Sequence, residues 1–229
     1  MKSQFSVAAA ASLLVSIGAA LPTLPLTYPQ LRVRNDSETY AGLAERLATI
    51  VPKSKSCDVD LPDCRTNDQI APLLVDGLKK WEINQRDAIS AVIALTAFES
   101  DSYKYKRNMY PGRPGQGTSN MQMIKYNVKY AMEFPELHEK IKAIEITPEN
   151  ADAVTPEQQN ELLDLVTPDD YNFGSGPWFL RTQCPSSIED FNISAEKGWD
   201  SYMKCVGVDA NEEGRRELFE AALASVGQP

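Results

Sequence analysis

Glu99 is the acid in this chain best placed to hold and release a proton. At 100° per residue, Ala88, Val92, Leu95 and Glu99 fall on one line of a helix expected over 86–98 after an Asn84 cap. A carboxylate therefore continues an apolar stripe. Apolar neighbours and the negative end of the helix dipole would both raise its pKa. A carboxylic acid still protonated near neutral pH is what general acid catalysis requires. Ser100 follows directly, and the nearest second carboxylates are Asp101 in sequence and the Asp169-Asp170 pair further on.

Three more pieces follow the helix. The run 112–122 is a Gly-rich turn leading into Asn120-Met121-Gln122; it lacks the Lys of a phosphate-binding loop and no strand precedes it. Between Ser102 and Met132 there is no Asp or Glu, yet six Lys or Arg and five of the nine tyrosines lie there. Tyr126 and Tyr130, four apart, are expected to pack on each other, which leaves Tyr103, Tyr105 and Tyr110 to face a ligand. The last piece is Tyr171-Asn172-Phe173-Gly174.

In this order the pieces resemble the goose-type lysozyme and soluble lytic transglycosylase superfamily, over roughly 88–179. The 178–205 region also looks like small secreted fungal muramidase-like proteins. The chain departs from the superfamily pattern at Ser119, Asn120 and Asp170. The resemblance implies a mainly α, lysozyme-like α+β fold: one helical domain around a central buried helix ending in Glu99, with a small β-hairpin region expected in 101–119. It implies Glu99 as general acid, Met121 and Gln122 shaping a glycan cleft beside Ser100, and Tyr171 and Asn172 holding the acid and the sugar. Tyr103, Tyr105 and Tyr110 would stack on sugar faces.

The implied reaction is cleavage of β-1,4 bonds in peptidoglycan or chitin. Asp101 or Asp170 would orient a water for hydrolysis. Alternatives are a lytic transglycosylase giving 1,6-anhydro ends, a chitinase-like hydrolase, and a glycan-binding protein without turnover. A serine hydrolase is poorly supported, since no GxSxG elbow is present and His138 would be its sole base.

Composition bounds the setting. Lys2, an apolar run over 7–17 and Gly18-Ala19-Ala20 read as a secretory signal peptide over 1–20, too short and alanine-rich for a membrane anchor. Residues 21–36, with three prolines, read as an extended arm or pro-segment, and 37–229 as the catalytic domain. The four cysteines fit export. Three pairings are possible; the local ones, Cys57 with Cys64 and Cys184 with Cys205, are favoured, at about 2.5 and 3.4 kcal/mol in the chain-entropy picture. With one histidine and no CxxC, neither metal nor cofactor is expected. Asn35 and Asn192 head glycosylation sequons. The full chain carries a net charge of −9, which argues against nucleic acid or an anionic membrane as partner. The expectation is a secreted monomer.

Further helices are expected over 37–50, 67–80, 120–133, 135–144, 172–183, 195–204 and 212–226, with starts signalled at Thr147-Pro148 and Thr155-Pro156.

Overall fold

The computed structural model describes residues 36–226, with side chains from 42 onward. The expected signal peptide, residues 21–35 of the extended arm and Asn35 lie outside those bounds, whereas Asp36 and Ser37 lie in the first helix. What is described is mainly helical. Helices α1 (Asp36–Ile50), α2 (Asn67–Lys80) and α3 (Arg86–Glu99) come first. Then follow α4 (Ile124–Ala131), α5 (His138–Ile144) and α6 (Pro156–Val166). The chain ends with α7 (Asp169–Asn172), α8 (Ser175–Gln183), α9 (Pro185–Phe191), α10 (Ala195–Val206) and α11 (Glu213–Ser225).

Helix α3 is the axis. Ten consecutive residues, 88–97, are buried on every face, because α8, α9, α10 and α11 all pack against it. The one-line stripe of the sequence reading understates this: a helix apolar all round belongs inside. Fully burying one such side chain, Leu95 for example, is worth about 1.5–3 kcal/mol. The helix starts after Gln85, which takes the cap position in place of Asn84.

Three features tie α10 to α8, α11 and α9. The Cys184–Cys205 disulfide joins the end of α8 to α10, and Trp199 stacks on Phe219 at 4.3 Å, nearly parallel. Gly198 lets α10 approach α9 closely, since a Cβ there would fall 2.1 Å from the Phe191 ring. The second disulfide, Cys57–Cys64, closes the loop before α2, whose start carries a Thr66–Gln69 capping box.

Several expectations need correction. Among the described residues there is no β-hairpin, only the isolated bridges Arg107 to Gly117 and Gly117 to Gln122. The lysozyme-like α+β detail therefore falls, and the fold is a single mainly helical domain. Residues 118–121 form a turn, with Met121 at φ 43°, and α4 begins only at Ile124. Thr147-Pro148 starts no helix, whereas Thr155 caps α6 through a capping box with Gln158. The expected 172–183 helix is split at Phe173-Gly174 into α7 and α8, and α9 was not expected. Tyr126 and Tyr130 do not pair: Tyr126 packs edge-on to Phe179 and Tyr130 packs among Phe134, Trp178 and Trp81.

Candidate functional site

The site grows from the end of α3. Past Glu99 the chain reverses through Asp101, Ser102 and Tyr103, all left-handed at φ 47°, 65° and 65°. Non-glycine residues there cost on the order of 1 kcal/mol each, so the corner needs holding. Ser100 holds it. Its hydroxyl donates to the Thr96 carbonyl at 2.6 Å and accepts the Tyr103 N–H at 3.0 Å. Its carbonyl accepts from the N–H groups of Lys104 and Tyr105, and the Ser102 N–H reaches the Ala97 carbonyl.

Glu99 is half-buried, 22 % exposed, and meets one cation: Nη2 of Arg215 donates to its Oε1 at 3.1 Å. Arg215 is only 7 % exposed and tightly placed. Its backbone N–H is capped by Glu212, its Nη1 donates to the Asp209 carbonyl, and its guanidinium lies 4.4 Å above the Phe98 ring. Burial pushes the Glu99 carboxyl above its ordinary 4.5; the charge and hydrogen bond of Arg215 oppose this, and the negative charge of Glu212 adds to it. Burial wins, so the acid keeps its proton longer than an exposed glutamate.

Two polar atoms of this corner have no partner. Arg215 Nε is buried without an acceptor, and the Tyr202 hydroxyl, on α10, is buried without a hydrogen bond. Tyr202 is fully enclosed, and burial first, then the Glu99 charge, pushes its pKa well above the ordinary range. Leaving such groups unpaired costs about 1–3 kcal/mol each. The corner therefore offers a protonatable carboxyl, an arginine donor and a neutral phenol: groups able to pass a proton to an oxygen atom and hold the charge that develops.

The other expected site residues go elsewhere. The Gln122 amide donates to Asn127, its oxygen accepts from Asn120, and Tyr171 donates its hydroxyl to Glu136 at 3.1 Å. Neither meets Glu99. Met121 is buried in its turn, and Asn172 is buried with an unpartnered side-chain oxygen, as is Asn120. Tyr103 is a core residue that packs on Phe173 with its hydroxyl toward Thr96, Tyr105 is half-buried, and Tyr110 stands 92 % exposed. These three rings do not gather into a cleft. Asp101 pairs with Lys104, Asp170 is exposed on α7, and the carboxylate whose charge Glu99 feels is Glu212. His138 is exposed, with Nε2 at the Met132 carbonyl.

Arg215, Tyr202 and Glu212 were missed, although a signal for the first existed. Arg215, Phe219 and Ala222 are buried along one line of α11, so Arg215 interrupts an apolar stripe just as Glu99 does.

Against known proteins, 161 residues are 44 % identical to a bifunctional dioxygenase (DOX)-epoxy alcohol synthase (EAS) of Fusarium oxysporum. The match takes in 69 % of this chain and 12 % of that protein, so the chain spans about an eighth of the curated relative's length. No family model matches the chain, and no solved structure matches it. The relative overturns the glycosidase expectation in all its forms: muramidase, transglycosylase, chitinase-like hydrolase and glycan-binding protein. Peptidoglycan and chitin fall with it as partners. The geometry agrees with the correction, because Gln122, Tyr171 and the three tyrosines build no sugar cleft at Glu99.

Proposed function

We propose that the chain is a counterpart of one segment of a dioxygenase–epoxy alcohol synthase and serves that oxygenation chemistry as a proton-handling element centred on Glu99. The observation that carries this is the 44 % identity over 161 residues to such a protein. The reading is supported by the Glu99–Arg215 corner, where a carboxyl held above its ordinary pKa lies beside a buried guanidinium. An epoxide or hydroxyl oxygen is a proton acceptor, and a general acid next to an arginine suits making or opening such a C–O bond. Glu99 gives or takes the proton, and Arg215 steadies the charge. Tyr202, enclosed behind them, stays neutral.

The test is complementation. The matched segment is removed from the Fusarium oxysporum protein, this full chain is added in trans, and epoxy alcohol is measured by mass spectrometry. Output should fall on removal and return with the chain, but not with its Glu99→Gln variant. Undiminished output after removal, or equal rescue by both forms, overturns the proposal.

From the apolar run over 7–17 and the two sequons, we further propose that the chain is exported, with 1–20 removed as a signal peptide and sugar on Asn35 and Asn192. Asn192 is exposed just after α9, which suits a glycan. The intact mass of the chain recovered from culture medium tests this. A mass that still includes 1–20, without added sugar, contradicts it.

A further inference from the structure

The Phe98 ring that carries Arg215 also lines an open groove of about 490 Å³. Its walls come from three places in the sequence: Ile50, Val51 and Pro52 at the end of α1, Ala97 and Phe98 on α3, and Leu218 on α11. The volume lies within the usual range for a small-molecule site. Around the apolar floor stand Lys53, Asp101, Ser102 and Glu217.

Charge at the edge is balanced. Lys53 and Glu217 line the groove with opposite charges, and Asp101 is already tied to Lys104 at 3.2 Å. With one charge of each sign left unpaired among the described residues, the rim has no net charge to favour an anion or a cation. The hydroxyl of Ser102, by contrast, makes no hydrogen bond among the described residues. Ser102 sits in the left-handed corner that Ser100 holds in place, so its position is set before any ligand arrives. The fold thus fixes a hydrogen-bonding group beside an apolar trough whose charges cancel.

We propose that this groove binds a small uncharged amphiphile: an apolar chain ending in a hydroxyl or epoxide oxygen, with the chain on Phe98 and Leu218 and the oxygen at Ser102. Its link to the chemistry of Glu99, one residue from Phe98, rests on the preceding reading; the binding itself does not.

Amide chemical shifts of the full chain, titrated with 1-octanol, octanoate and octylammonium, test it. Octanol should shift the amides of Ala97, Ser102, Gly214 and Leu218, and bind at least tenfold tighter than either charged analogue. Leu218→Trp, which fills the trough, should abolish the shifts while circular dichroism stays unchanged. Ser102→Ala, which keeps the corner's backbone, should weaken octanol threefold or more. Unmoved amides, equal affinity for octanoate, or full binding by Leu218→Trp or Ser102→Ala would each overturn the proposal. No partner enzyme is needed, so this result stands apart from the complementation experiment.

Discussion

Two carboxylates in this molecule are each held by arginine or lysine, and they end with opposite proton affinities. Asp169, on α7, accepts from Arg65 at 2.8 Å and from Lys106 at 2.6 Å. Burial pushes its pKa up, but hydrogen bonds and charges from both cations outweigh that and bring it below the ordinary 3.8. Glu99 has one cation, and the Glu212 charge works against it. There burial outweighs Arg215 and the pKa rises. The ratio of cations to acids, more than the presence of an ion pair, decides which carboxyl is a fixed anion and which can carry a proton. The first ties the loop before α2 and the turn after α3 to α7; the second takes up a proton more readily than an ordinary glutamate.

The largest effect should come from breaking the fixed anion. Asp169→Ala leaves Lys106, only 6 % exposed, without its counter-charge, and should cost on the order of 3 kcal/mol in urea unfolding at pH 7. A cost under about 1 kcal/mol would show that the clasp is not structural. Next, Arg215→Met should cost about 2 kcal/mol at pH 7 and much less at pH 4, because a protonated Glu99 no longer needs the cation. Equal cost at both values would mean that Glu99 is not the group involved.

The two sites also predict opposite slopes of stability with pH. Glu99 binds its proton more tightly when folded, so its contribution is complete below 4.5 and is lost as pH rises through the folded value. Asp169 contributes above 3.8 and loses that contribution as pH falls through its lowered folded value. Glu99→Gln should flatten only the first slope, seen as unfolding midpoints measured across pH. The smallest change expected is from Tyr202→Phe. Removing a buried hydroxyl without a partner should leave stability within about 1 kcal/mol of wild type or raise it.

Periodicity, capping and turn chemistry carried most of the helical layout. Pro156 after Thr155 and the apolar run of α3 are local signals, and the helices they announce begin close to where expected. The sequence could not reveal what surrounds Glu99. Its partner lies 116 positions away on α11, brought there by the packing of Trp199 on Phe219 and of α11 on α3. Tyr171 and Gln122 read as neighbours of Glu99 only through a motif order; the turn at Met121 and the hydroxyl of Tyr171 send them to Asn127 and Glu136 instead. The Tyr103 ring likewise looked free for a ligand, because its aromatic type says nothing about which side of the left-handed corner it takes.

The central claim is that Glu99 retains its proton where an ordinary glutamate has lost it. Carboxyl 13C titration of Glu99 in the intact chain measures this directly. The account predicts a midpoint above 4.5 that climbs further in Arg215→Met. A midpoint at or below 4.5, unmoved by that substitution, would contradict it.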